Sequence, residues 1–418
     1  MRKRMECSSN SPPRTRLKSP RAALCAFAGA ILGACYGEYI PLGERCGDGQ
    51  VTVPEACDDA NSIDGDGCNN DCTPAARELW TRCIESFPHP DVRAAGVAFD
   101  SLGEPVLVAT IVSQEGGRTQ VWTRNFDGDG AVEWTSPCCS DVDVDFVAEA
   151  AAMTENDEVV AGGRLSGEGL VDGSLLFVLG GDGALRHIDS HVDQEPVAAI
   201  AAVVDDPIYA LVQRAEGPIL LGRGSSPWRR PVEQASPGEF LGRALTLIDG
   251  TDLYAAGVIE NGSPSQCGWL GRYSSASGQF RWQSEDGGGR YADIAIAPSG
   301  DVVYVLAETP CSGDVKSTVH RFRTDGLQSS SVEFPAPRLA RPAVGLAVDG
   351  VGRLTLLTGA AEETSLTRLA PDGSTLWTVP VHGLAAQALA VSDDGHIAVG
   401  GIIQKESRVD VCLRLHTP

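Results

Sequence analysis

The 418-residue chain is poor in the features that usually announce chemistry. Its seven histidines (His89, His187, His191, His320, His382, His396, His416) lack metal-ligand spacing, and the one i, i+4 pair, His187 and His191, lies in a stretch that reads as strand. Neither a Gly-x-Ser-x-Gly elbow nor a Gly-rich phosphate loop occurs. There are no paired Cys-x2-Cys knuckles of the kind that hold zinc. Past residue 34 no apolar run approaches the ~20 residues a spanning helix requires. That same part has no Lys/Arg cluster.

Charge of one sign is therefore what remains. Residues 1 to 34 hold seven of the 33 basic side chains and one of the 56 acidic ones, so removing them moves the net charge from -23 to near -29. Such a balance opposes phosphate-dominated binding and makes nucleic acid a poor partner. A solvated acidic surface that keeps the protein soluble is the simplest reading.

The N-terminus has the order of an export signal. Seven basic side chains (Arg2, Lys3, Arg4, Arg14, Arg16, Lys18, Arg21) precede the uncharged apolar run 22–34, which is too short to span a bilayer. The run ends Leu32-Gly33-Ala34-Cys35 and resembles a bacterial lipobox. That resemblance implies cleavage before Cys35 and acylation of its sulfur and new amino group, giving a lipid anchor on the membrane. An ordinary signal peptide cut elsewhere would leave Cys35 a spare thiol. Tyr36, in place of Asp, leans toward the outer membrane by the retention rule of enterobacterial lipoproteins. The expected organisation is a lipoprotein signal peptide (1–34), a tether (35–45), a cysteine-rich module (46–72), a linker (73–77) and a repeat domain (78–418).

Without Cys7, Cys25 and Cys35, ten cysteines remain, an even number suited to an oxidising compartment. Four lie in the module: Cys46, Cys57, Cys68 and Cys72. So short a segment cannot build a core, and two disulfides are expected to hold it, in any of three connectivities. Its run Cys-Gly-Asp-Gly, Glu-x-Cys-Asp-Asp-x-Asn, Gly-Asp-Gly-Cys and a last Cys resembles the myxobacterial cysteine-rich disulfide repeat. Asp58, Asp59, Asn61, Asp64 and Asp66 offer oxygen ligands of the kind calcium takes, but their spacing is not that of an EF-hand. Capping of their own turns is the preferred reading.

From residue 78 a short apolar strand, a turn and a second apolar strand recur. Phe99, Met153, Val203, Leu247, Ile296, Val348 and Val391 mark seven copies at intervals of 43 to 54 residues, a propeller-blade period. Second halves place Asp-Gly or Ser-Gly four residues before Trp, at Trp134, Trp282 and Trp377. A two-residue hairpin turn is expected there, with the Trp on an outer strand sealing the gap to the next blade. These motifs resemble the quinoprotein-like propeller repeats, weakly over 218–236. The last unit, 408–415, lacks a Trp strand, while Glu78-Leu79-Trp80-Thr81 matches Leu376-Trp377-Thr378. The chain thus predicts an all-β, seven-bladed propeller closed by its N-terminal strand.

Two further expectations concern sites. Asn125, Asp127, Asp129 and Glu133 set oxygen-bearing side chains at positions 1, 3, 5 and 9 of a loop with Gly130 at position 6, similar to calcium loops in integrin-type propellers. The same Asp-Gly also serves as a blade turn, the preferred reading, and calcium is the cofactor this loop would take. Cys138-Cys139 is a vicinal pair, as at the cofactor site of the quinoprotein alcohol dehydrogenases, but no calcium-coordinating set or Asp base can be placed beside it. Cys138 or Cys139 is expected to pair with Cys83, with Cys412 or with each other, and Cys267 with Cys311 across blades. The sequence reads best as a lipid-anchored binding or scaffolding propeller whose partner is an envelope protein or glycan. A quinone-dependent periplasmic oxidoreductase and a purely structural surface protein are the alternatives.

Overall fold

The computed structural model describes residues 46–418 apart from 54, 113–116, 139–144, 167–172, 192–195, 203–207, 215–216, 224–225, 233–238, 249, 261–267, 287–288, 310–315, 335–342 and 361–362. The signal peptide, Cys35, the tether, Cys139, Cys267 and Cys311 lie outside the described residues.

Seven antiparallel four-stranded sheets form a β-propeller, with no helix among the described residues. Blades 1 to 6 occupy 93–138, 145–191, 197–231, 239–286, 290–334 and 343–382. Blade 7 is assembled from both ends of the chain. Its inner three strands are Ala385–Val391, Ile397–Gln404 and Val409–His416, and its outer strand is Glu78–Ser86, paired antiparallel with Val409–His416. This closure is the one expected from the Trp80 match, and it removes the free sheet edges of an open array.

Each blade is buried from both sides, which is why second strands such as Pro105–Val112 read as nearly continuous apolar runs rather than alternating ones. Pro105–Val112 and Val409–His416 are buried at every position. The apolar side chains collect in seven clusters, one in each gap between adjacent blades, so the core is a ring of wedges. The gap between blades 7 and 1, for instance, is filled by Trp80, Leu107, Phe126, Val411 and Leu413. The gap between blades 6 and 7 holds Leu357, Leu366, Leu384, Val399 and Cys412.

A register shift interrupts every inner strand near its start, between Ala94 and Gly96, Ala148 and Ala150, Val197 and Ala199, Gly242 and Ala244, Tyr291 and Asp293, Ala343 and Gly345, and Ala386 and Ala388. A bulge leaves ladder groups unpaired. Side chains of the preceding blade satisfy several of them. Ala94 N–H donates to Gln387 Oε1 at 2.8 Å, Ala148 N–H to Thr110 Oγ1 at 3.0 Å, and Gly242 N–H to Gln213 Oε1 at 2.9 Å.

The outer turns differ from the two-residue hairpin expected. Only the glycine has positive φ, at +78° for Gly130, +75° for Gly183, +88° for Gly326 and +90° for Gly373. Each glycine N–H closes an i to i+3 turn, as Gly130 does to the Asp127 carbonyl at 2.9 Å, and a bulge follows, between Asn125 and Phe126 in blade 1. This is a type I turn continued by a glycine bulge, so the Asp before the glycine need not adopt a left-handed conformation.

The tryptophans seal the blades as expected. A Cβ at Gly130 would lie 2.8 Å from Trp80, and one at Gly183 2.6 Å from Trp134, so each indole lies flat on the turn glycine of the following blade. Trp80 Nε1 donates to the Gly128 carbonyl at 2.9 Å, and Trp282 Nε1 to Thr324 at 2.9 Å. Trp228 does the same for blade 4, donating to Ser275 at 2.8 Å. Its Gly224-x3-Trp228 spacing matches the other blades, but the Asp-Gly or Ser-Gly signature is missing.

Candidate functional site

The two ends of the ring are built differently. At one end, connections between first and second strands, and in blades 1 to 6 between third and fourth, span three to five residues. At the other, the connections span two to eight residues, from 383–384 to 335–342. We call these the turn face and the loop face. In a propeller, binding surfaces arise where loops of unequal length converge on the channel mouth.

Near the channel the loop face has a compact charged cluster. Asp91 precedes the inner strand of blade 1, Arg93 begins it, Glu149 is the bulged residue of blade 2, and Arg164 lies near the end of that blade's second strand. Arg164 pairs through Nη2 with Asp91 and through Nε with Glu149 Oε1 at 3.3 Å. Arg93 approaches Asp91 at 3.7 Å and Glu149 at 3.9 Å, and His89 faces Asp91 at 3.6 Å. Burial pushes the Glu149 carboxyl up, against the opposing pull of Arg93 and Arg164. The two guanidiniums, a third to two-fifths exposed, are pinned by carboxylates while retaining free donor capacity. This geometry suits a ligand rich in hydroxyl or carboxylate oxygens. It contains no nucleophile beside a general base.

On the same face, a groove of about 470 Å³ runs between blades 7 and 1, lined by Ile84, Ser86, Phe87, Ile111, Trp122 and Arg124. Arg124 stacks over Trp122, and the Glu85–Arg408 pair closes one end at 2.6 Å. At the turn face, a cavity of about 410 Å³ opens against the inner strands of blades 2 to 4, among Met153, Glu155, Ile200, Thr246 and Leu247.

The loop proposed for calcium is a turn-face hairpin. Asp127 Oδ1 accepts the N–H groups of Asp129 at 3.0 Å and Ala131 at 2.7 Å. Asn125 is buried in the preceding strand with Nδ2 3.5 Å from Asp100. Asp182, Asp325 and Asp372, which precede the turn glycines of other blades as Asp129 does here, each accept the amide two residues on. Glu133 follows in the outer strand Val132–Cys138. Among the described residues no group of three or more His, Cys, Asp or Glu side chains is gathered closely enough to hold a metal.

In the module the disulfides are nested, Cys46 with Cys72 and Cys57 with Cys68. Asp58 accepts the N–H groups of Gly47, Asp48, Gly49 and Ala60, and these bonds hold its carboxyl below the usual range. Asp59 accepts Cys68 N–H at 3.0 Å and Asp64 accepts Asn70 N–H at 2.6 Å. Asn61 binds Asp66 at 3.1 Å, and burial together with Asp59 raises the Asp66 carboxyl. Asp58, Asp59, Asp64 and Asn61, which accepts Ile63 N–H at 2.7 Å, therefore tie down backbone amides of the module.

Cys83 pairs with Cys412, joining the outer strand of blade 7 to its neighbour. Neither is therefore the partner of Cys138, which ends the outer strand of blade 1 and is buried. The charged cluster of Asp91, Arg93, Glu149 and Arg164 had no sequence signature, since its members are scattered over 74 positions and Glu149 joins the others from a bulge.

No protein-family model matches the chain, and no curated protein matches it. Solved structures do. A chain of a mitotic checkpoint complex aligns at TM-score 0.55 and 11% identity over 80% of this chain and 94% of that one. The virginiamycin B lyase of Staphylococcus aureus, solved as an inactive variant with quinupristin, aligns at 0.52 and 10% over 80% and 99%. The Cps50 (Swd1) propeller domain of Myceliophteria thermophila aligns at 0.55 and 12% over 79% and 99%. At such identities the likeness extends to the fold: the chain is a β-propeller.

Proposed function

We propose that this is a lipid-anchored cell-envelope protein, held in the outer membrane by acylated Cys35, whose propeller binds an envelope protein or glycan at its loop face. The observation that carries the reading is the placement of the module. It packs against the turn face, with Gly65 beside Arg353 and Trp377, which supports an anchor on that side of the ring. The variable loop face, with the Asp91–Arg93–Glu149–Arg164 cluster, then points away from the anchor. The lipobox-like Leu32-Gly33-Ala34-Cys35 and the resemblance of 46–72 to the myxobacterial cysteine-rich repeat support the location. Partly exposed, carboxylate-pinned guanidiniums support a ligand rich in hydroxyl or carboxylate groups.

The test is native mass spectrometry of the protein drawn intact from its own membranes, combined with cross-linking. Acyl mass on Cys35, with cross-links from the partner concentrated at Arg93 and Arg164, is the expected result. An unmodified Cys35 would refute the anchor. Cross-links confined to the turn face would refute the binding surface.

A further inference from the structure

Blade 7 has a defect that the other blades lack. Its third and outer strands, Val409–His416 and Glu78–Ser86, come from opposite ends of the chain, so no covalent hairpin turn connects them. Two pieces of chain rebuild that turn. Thr417 stands where Asp127 stands in blade 1: its N–H donates to the Arg77 carbonyl at 2.9 Å, as Asp127 N–H does to Ala131. Thr417 Oγ1 accepts Arg77 N–H at 3.0 Å, as Asp127 Oδ1 accepts that of Ala131. Ala76, four residues before Trp80, occupies the turn-glycine position with φ +56° and donates to the Pro418 carbonyl at 3.0 Å. The bulge that follows lies between Glu78 and Trp80.

The rebuilt turn still leaves the seal of the preceding blade without its seat. In blades 7, 3 and 4 the outer-strand tryptophans Trp80, Trp228 and Trp282 donate to a carbonyl of the next blade's own turn, Gly128, Ser275 and Thr324. Trp377 of blade 6 donates instead to Gly65 of the module, at 3.1 Å and 312 residues away in sequence. Gly65 is seated tightly, with φ +81° and an added Cβ only 2.9 Å from Arg353 Nη1 and 3.1 Å from Pro418. Arg353 Nη1 donates to the Asp64 carbonyl and its Nε pairs with Asp349 at 2.7 Å. Asp349 in turn pairs with Arg368, and both are buried. Asp64 and Gly65 sit between Cys57 and Cys68, inside the inner disulfide loop.

We propose that the module is a redox-sensitive clasp of the ring: its nested disulfides hold Asp64 and Gly65 as the substitute turn on which the seam between blades 6 and 7 closes. A segment of this length has no apolar core of its own to hold that shape when its cysteines are thiols. Closure therefore follows oxidation. Each pair of module thiols gives up two electrons and two protons to a disulfide-bearing oxidant, which is itself reduced to two thiols, and a new S–S bond forms. While the cysteines are reduced, Trp377 Nε1 and Arg353 Nη1 lose their partners at Gly65 and Asp64, and the seam onto the seventh blade stays loose. The inference concerns the ring itself and stands whether or not Cys35 is acylated.

Hydrogen exchange on the full chain tests it with the Cys57→Ser/Cys68→Ser variant, which leaves Cys83–Cys412 intact. The expected result is roughly tenfold or faster exchange in Glu363–Leu369, Thr375–His382 and Ala385–Val391 as well as in the module, with blades 2 to 4 unchanged. Faster exchange confined to 46–76 would overturn the proposal and make the module a passenger. Trp377→Phe is the reciprocal test, since it removes only the indole donor at this seam. Module amides should then exchange several-fold faster, whereas Trp282→Phe should leave them as they were. Equal effects of the two substitutions on the module would also overturn the proposal.

Discussion

Cys83 and Cys412 face each other across the outermost ladder of blade 7 and are joined by a disulfide that spans 329 residues of sequence. They turn a closure made by hydrogen bonds into one made by a covalent bond. On the chain-entropy view, so long a loop is worth about 6 kcal/mol, and less where the reduced chain keeps residual structure. Cys83→Ser/Cys412→Ser should therefore lower stability by about 2–5 kcal/mol. Chemical denaturation checks it, and a loss below about 0.5 kcal/mol would mean that the strand ladder alone closes the ring.

The tryptophan seals make a prediction with its own control. Gly326 combines φ +88° with Trp282 at 2.9 Å from any added Cβ, whereas Gly103 has φ +76° and open space around it. Gly103→Ala should cost about 1 kcal/mol through backbone strain alone. Gly326→Ala should cost about 2–4 kcal/mol, because the indole must also be displaced. Equal losses in thermal unfolding would show that Trp282 moves aside freely.

Asp127 is the residue on which the calcium reading turns. Its carboxylate already accepts two backbone amides, so Asp127→Ala should destabilise the turn by about 1 kcal/mol with or without calcium. Asp129→Ala should have little effect. Titrating calcium against melting temperature checks both; a calcium-induced rise in the parent that vanishes in the two variants would instead assign Asn125, Asp127, Asp129 and Glu133 as ligands.

Much of this architecture is written locally. Period, blade count and the N-terminal closing strand are visible because every blade repeats the same strand pairs and the Trp80 segment repeats the outer-strand pattern. What escaped has a physical reason in each case. The turn type depends on which residue takes positive φ, and Asp-Gly is compatible with two turn geometries. Ala76 does the work of a turn glycine without being one, so the split turn of blade 7 carries no composition signal. The Trp377–Gly65 contact joins parts of the chain with unrelated patterns, and a clasp of that kind is visible only in three dimensions. The same holds for the Glu149 cluster, in which side chains of two blades meet and one of them stands on a bulge.

His416 links the seam to pH. It is buried in the last strand, with Nδ1–H donating to the Ala76 carbonyl at 2.9 Å, and burial lowers its imidazole below 6.5. Below pH 6.5 the unfolded chain takes up a proton that the folded chain resists, so stability falls as pH falls through that window. His416→Asn should remove this part of the slope. The stability difference between parent and variant should shrink from pH 7.5 to pH 5, and a difference that does not change with pH would show that His416 titrates freely in the folded state.

Asp293 should give the opposite slope. The residue follows the bulge of blade 5's inner strand, and its carboxylate accepts Leu346 N–H of blade 6 at 2.7 Å and Ile294 N–H at 2.8 Å. Burial outweighs these two bonds and pushes the carboxyl up to about 6, from 3.8. Between those values the folded chain holds a proton that the unfolded chain has released, so stability falls as pH rises, by roughly 1–3 kcal/mol in all. Asp293→Asn retains an acceptor oxygen for Leu346 and removes the charge. The variant should match the parent near pH 3.5 and exceed it above pH 6.5, as measured by denaturant unfolding at each pH. Should the parent be the more stable at pH 7, the charged carboxylate would be contributing more through its bonds to Leu346 and Ile294 than it loses by burial.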